Sequence, residues 1–160
     1  MSAQAPRAHP GDHPPVLVMV EAARDRWIAL CARYRADAIS LLETKNSNGA
    51  WLQVGFSVEC CLKAAIMKKE RFNRWPSRQA EPNLWVHDLE ILFRRPGIDP
   101  KEFDHANPVA PALKTVPEWR RDHGYSLAKL PWKHARDICE AAFGGNGVVE
   151  WIANLYRLNI

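Results

Sequence analysis

The sequence predicts an all-α protein, and three observations carry that prediction. The stretch from Trp51 to Met67 is apolar on nearly every side, as the central helix of a bundle must be. Upstream, Trp27, Leu30, Cys31, Tyr34, Ala38 and Leu41 recur at helical spacing, while Arg24, Arg26, Arg33, Arg35 and Asp37 take the other face. No run of useful length alternates apolar with polar residues, and no internal repeat is present.

The elements follow in order. Residues 1–15, with Pro6, Pro10, Pro14, Pro15 and Gly11, read as a flexible tail, and 16–160 as a single helical domain. A first helix is expected over about residues 17–43, ending at the turn-forming run Lys45–Gly49. The second covers roughly 49–71, with Phe56, Cys60 and Ala64 buried. Trp75–Asn83 breaks the pattern, and "LWVHDLEILFRR" gives a short helix ending before Pro96-Gly97. Asp99, Pro100 and Glu102 form a helix start, with an N-cap, a first-turn proline and an acidic third position. Pro108, Pro111, Pro117 and Pro131 restrict 108–131 to short helical turns. A last helix begins near Pro131 and buries Trp132, Ala135, Ile138, Cys139, Ala142 and Phe143. Gly144–Gly147 interrupts it, and Val148, Trp151, Ile152 and Leu155 resume it.

With 160 residues, 47% of them hydrophobic and 25% charged, the chain suits one core of ordinary globular composition. A formal net charge of +4 and a pI of about 9.0 permit contact with nucleic acid without demanding it. Cys31, Cys60, Cys61 and Cys139 form no C-x-x-C pair and read as core thiols of a reduced, cytoplasmic protein. Met1 leads into polar sequence rather than a basic then apolar run, so no secretory signal is expected. The apolar stretch is short and carries Glu59 and Lys63, which argues against a membrane span.

Those two charges are the first candidate site residues. Glu59 and Lys63 stand four apart in the favourable order, either as a partly exposed ion pair or as the lining of a polar pocket inside the bundle. Gln53 and Ser57 form a second polar line on the same helix. Lys68, Lys69, Arg71, Arg74 and Arg78, interleaved with Phe72 and Trp75, are either a solvated helix end or a surface that grips a nucleic-acid backbone and stacks a base. His87 and Asp88 open the third helix. "EWRRDHGYS" places Arg120, Arg121, Asp122, His123 and Tyr125 close together, supplying cations, a proton acceptor and a phenol. Phosphate-loop, dinucleotide, zinc-protease and serine-hydrolase signatures are absent, and no cofactor or metal is expected. His9, Asp12 and His13 make at best a weak metal site.

Three pieces in order, "FSVECCLKAAI", "HDLEILF" and "EWRRDHGYS", resemble the HEPN domain family over about residues 25–157. The first is similar to that family's E-x-x-x-K-A core, the second to its H-D-L-x-x-L. The resemblance implies a bundle of four to five helices that dimerises, and the seven tryptophans agree with a homodimer. It also implies either a metal-independent ribonuclease of a toxin–antitoxin or antiviral defence system, or a relative that binds nucleotides or partner proteins. The family's R-x(4–6)-H motif is not reproduced: His123 follows Arg120 by three positions and Arg121 by two. Arg7 and His13 have the spacing but fall in the tail. His123-Gly124-Tyr125 is similar to the H-x-Y ending of HEPN toxins whose tyrosine accepts AMP from a nucleotidyltransferase antitoxin.

On this resemblance Glu59, Lys63, His87 and Asp88 are binding residues facing a site between the helices, joined by the basic Lys68, Lys69 and Arg71. The leading expectation is a defence or toxin–antitoxin protein with a degenerate nuclease motif. It would bind RNA, a nucleotide or a partner encoded nearby. The alternatives are an endoribonuclease using His123 with Arg120 or Arg121, and a helical adaptor without nucleic-acid function.

Overall fold

The computed structural model describes residues 16–160, with side chains from residue 23 onward. The expected tail at 1–15, including Arg7, His9, Asp12 and His13, lies outside the described residues. Six α-helices follow: α1 (Val16–Glu43), α2 (Ser47–Glu70), α3 (Leu89–Arg94), α4 (Ala110–Thr115), α5 (Trp132–Phe143) and α6 (Val148–Tyr156). Among the described residues there is no β-strand.

The α1–α2 hairpin is the frame. Its turn is shorter than composition suggests, because Asn46 rather than Gly49 marks the new helix. Asn46 Oδ1 accepts from the Gly49 amide at 3.0 Å, satisfying one of the orphan donors of the first turn. At the far end Arg71 adopts the left-handed conformation (φ 56°), and the Arg71 and Phe72 amides both close on the Met67 carbonyl. Between these caps, every residue from Ser57 to Met67 is buried. α2 packs against α1, α3, α5 and α6 at once, which is why no side of it is polar. Its length and composition would suit a membrane span, yet 78% of its apolar stretch is covered by the bundle.

The expected buried positions hold for Cys60 and Ala64, but Phe56 is only half-buried. Phe56 lies at the rim of the core, 5.6 Å from the rings of both Tyr34 and Trp119. Other expectations also shift. α3 starts at Leu89, because Asp88 Oδ1 caps the Glu90 and Ile91 amides, and Pro82–Leu84 forms a separate 3₁₀ turn. Asp99 caps as predicted, but only one 3₁₀ turn follows, Pro100–Glu102. α5 and α6 meet at the glycine break and bury Ala135, Ile138, Ala142, Val148 and Ile152, while Leu155 faces outward.

Ser57 joins the two long helices. Its hydroxyl donates to the Cys31 carbonyl at 2.8 Å and lies 3.4 Å from Cys31 Sγ. All four cysteines are free and buried. Burial pushes the Cys60 thiol up to about 12 and Cys139 up to about 11, and Cys61 is raised chiefly by its hydrogen bond to Cys31. Hydrogen bonding from Cys61 lowers Cys31 in turn, but Cys31 has no solvent-accessible surface. Thiolate is therefore scarce or unreachable in the native state. At pH 8, Ellman's reagent should find almost no thiol in the folded protein and all four after guanidinium denaturation. Prompt reaction of even one equivalent without denaturant would contradict this packing.

Gly55 decides where the second half of the chain docks. A Cβ built on it would lie 1.8 Å from Trp119 Cε2, so the indole rests directly on the α2 backbone. Trp119 is completely buried and donates Nε1–H to the Trp51 carbonyl at 2.9 Å. Gly55→Ala should lower stability by roughly 2–3 kcal/mol through overpacking, measured by urea unfolding. A loss under about 0.5 kcal/mol would show that Trp119 does not occupy this position.

Candidate functional site

Trp119 anchors the segment that follows it, a 3₁₀ turn over Arg121–Tyr125 with no buried residue of its own. The turn lies on the first half of α2. Gly124 packs against Leu52, where an added Cβ would meet Cδ2 at 2.9 Å. Further on, the Asn48 side chain donates to the Ala128 carbonyl and accepts from the Leu130 amide, at 2.9 and 2.8 Å.

This docking splits the candidates of "EWRRDHGYS" between two sides. Arg120, Arg121, Asp122 and Tyr125 line a cleft of about 310 Å³ together with His87 and Asp88. His123 turns the other way, into a second cleft of about 290 Å³ with Trp51, Leu130 and Pro131. Its Nδ1 accepts from Trp51 Nε1–H at 3.1 Å and from the Arg120 amide at 3.3 Å. Neither donor can reverse its role, so the neutral ring carries its hydrogen on Nε2. His123 fastens the turn to α2, and its one lone pair is already taken by these two donors.

Behind His87 the two buried charges of α2 come together. Lys63 Nζ is 2.7 Å from Glu59 Oε1, and His87 Nδ1 is 2.9 Å from Glu59 Oε2. Glu59 and Lys63 are 5% and 6% exposed, whereas the His87 side chain is 42% exposed. The ammonium lies 4.7 Å from the Trp27 ring centroid and 5.5 Å from that of Trp75, and the two indoles meet edge-on. Two electron-rich ring faces and a carboxylate offset the loss of water around Lys63. Glu59 has both oxygens engaged, which keeps a carboxylate tolerable at this depth.

Trp75 is held there by the loop after α2. Arg95 forms a two-pronged pair with Glu70 at 2.6 and 3.1 Å and another with Glu81 at 3.1 and 3.2 Å. The Trp85 indole donates to the Pro76 carbonyl at 2.9 Å. Phe72 and Trp75 consequently pack inward against the core instead of standing out to stack a base. The basic run is also partly used within the fold. Lys68 Nζ donates to the Arg157 carbonyl at 2.5 Å, Lys69 Nζ donates to the Pro96 carbonyl, and Arg71 is the C-cap of α2.

The structure thus brings His87, Asp88, Arg120, Arg121 and Tyr125 to one cleft, with Glu59 hydrogen-bonded to His87 and Lys63 to Glu59, and leaves His123, Lys68, Lys69 and Arg71 elsewhere. Within the cleft Asp88 is occupied as the cap of α3. Arg120 Nη1 donates to the Pro117 and Trp119 carbonyls at 2.6 and 2.9 Å, which fixes its guanidinium plane. Arg121 makes no ion pair or side-chain hydrogen bond among the described residues, and Tyr125 is 78% exposed. Trp27 as a partner of Lys63 was not foreseen. Its helical spacing signals a core residue equally well.

Compared with protein-family models, curated proteins and solved structures, the chain matches none.

The Glu59–Lys63 pair gives a direct test of the floor. Glu59→Ala strands a buried ammonium and should cost about 3–5 kcal/mol. Combining Glu59→Leu with Lys63→Met removes both charges at similar volume and should recover most of that loss in thermal or urea unfolding. Additive losses in the double variant would mean that the two side chains do not share this site.

Proposed function

We propose that the protein binds RNA or a nucleotide through the cleft between His87 and the 120–125 turn. On this reading it is a HEPN-like module of a defence or toxin–antitoxin system whose usual nuclease spacing is missing. The observation that carries the reading is the convergence of two guanidinium groups, an imidazole and an exposed phenol on one open concavity. Arg120 is pre-oriented by its carbonyl contacts, and Arg121 is available to a phosphate. Tyr125 offers a ring face on which a base can stack. Asp88 and Asp122 temper the positive charge, so the cleft suits a ligand that brings hydrogen-bond donors along with its phosphate, as ribose and base do. The all-α bundle around one long apolar helix agrees with the HEPN resemblance, and with it goes the expectation of a homodimer.

Fluorescence anisotropy with a labelled single-stranded RNA tests the reading. Arg121→Glu should weaken binding about tenfold or more and reduce the slope of log affinity against log salt by about 1. Charge reversal at Lys68 and Lys69 should do less, since both side chains cap carbonyls. The same samples should run as dimers in light scattering. No RNA or nucleotide binding at low salt would refute the proposal, and a larger effect from the lysines would move the site to the end of α2.

A further inference from the structure

The cleft on the His123 side of the 120–125 turn differs in character from the one bearing the arginines. It encloses about 290 Å³, and Trp51, Ala128, Leu130 and Pro131 make its walls mainly apolar. Most of its polar groups are spent within the fold. Trp51 Nε1–H goes to His123, and the two ends of the Asn48 amide go to Ala128 and Leu130. The groups left over all donate. His123 Nδ1 accepts twice, so its hydrogen is on Nε2 and has no partner among the described residues. Ser126 Oγ accepts from the Ala128 amide at 3.2 Å and keeps its own hydrogen to give. Lys129 forms no ion pair or side-chain hydrogen bond among the described residues. No carboxylate or free side-chain carbonyl lines this cleft, whereas four other clefts each carry at least one aspartate or glutamate.

We propose that this cleft binds a small monocarboxylate with an apolar body, a single ring or a short hydrocarbon chain. A set of free donors that includes one cation suits an anion that only accepts. The carboxylate takes the donors of Lys129, Ser126 and His123, and the indole of Trp51 with Leu130 and Pro131 takes the hydrocarbon out of water. α5 adds to the same preference. It begins directly after Pro131, no side chain caps its N-terminus, and its first turn holds no acidic residue to offset the helix dipole. The volume is at the small end for a ligand pocket, and one lining cation balances one charge, which points to a monoacid rather than a polyphosphate. This cleft shares no lining residue with the one bearing His87, Arg120 and Arg121, so the inference stands apart from the RNA-binding reading.

The test titrates the full chain with 3-phenylpropionate, and with 3-phenylpropanamide as its neutral counterpart, by calorimetry and saturation-transfer NMR. The acid should bind with a Kd below about 1 mM and at least about tenfold more tightly than the amide. Lys129 is exposed, so Lys129→Gln should fold normally. It should weaken the acid about tenfold and leave the amide within about twofold. Ser126→Ala should weaken the acid about threefold. Lys133→Gln, which removes a neighbouring charge outside the cleft, should bind the acid as the wild type does, and so should Arg121→Glu. Equal affinity for acid and amide, wild-type affinity in Lys129→Gln, or no binding at millimolar acid by either method overturns the proposal. Loss of acid binding in Arg121→Glu also overturns it, by placing the anion in the His87 cleft. Failure to bind RNA leaves each of these outcomes unchanged.

Discussion

The structure depends on one constraint: α2 is buried along most of its length, yet the elements around the candidate cleft dock on it. It meets that constraint with a single stripe, Trp51, Gly55, Glu59 and Lys63, each four residues beyond the last. Four residues turn an α-helix by about 400°, so such a stripe winds slowly and stays on nearly one face. Trp51 offers its carbonyl to Trp119 and its indole N–H to His123. Gly55 gives up a side chain so that Trp119 can lie flat against the backbone. Glu59 holds His87, and Lys63 completes the charge balance beneath the two indoles. The cleft is what remains between the elements that this stripe draws in.

A buried ion pair is a poor stabiliser in general, because desolvation removes about as much as attraction returns. Here the arrangement is better read as a device for orientation. Lys63 satisfies the carboxylate charge, which leaves Glu59 Oε2 free to dictate the tautomer of a half-exposed histidine. Two indoles and a double arginine–glutamate clamp hold the surrounding loop in place.

Much of the fold was legible in the sequence because it rests on local rules. Helix periodicity located α1, α2, α5 and α6 to within a few residues, and the proline density of 108–131 foretold its short turns. The misreadings came where tertiary contacts outvote local pattern. Asp88 opens α3 as read, but the helical stretch was drawn from Leu84, where Pro82–Leu84 instead forms its own 3₁₀ turn. Phe72 and Trp75 looked like stacking aromatics because basic residues flank them, but sequence cannot say which neighbours a loop folds onto. For the candidate cleft, the E-x-x-x-K spacing picked out the buried pair that contacts His87, and the 120–125 run picked out its arginines and tyrosine. Which histidine faces the arginines was not legible. His123 is adjacent to them in the chain and His87 is not, and only the turn imposed by Trp119 on Gly55 reverses that order in space.

The segment bearing Arg120, Arg121 and Tyr125 is tied down at both ends, by Trp119 on Gly55 and Trp51 and by the two Asn48 hydrogen bonds to Ala128 and Leu130. Its middle is exposed, with Tyr125 and Leu127 standing in solvent. A strap anchored at both ends samples a small volume, so its side chains present themselves to the cleft at a high effective concentration without being locked in one pose. Much of the ordering entropy that a free loop would lose on capturing a ligand has already been lost during folding. The 120–125 rim is thus held near the cleft by its two ends, while the Glu59 carboxylate holds the His87 ring in one orientation.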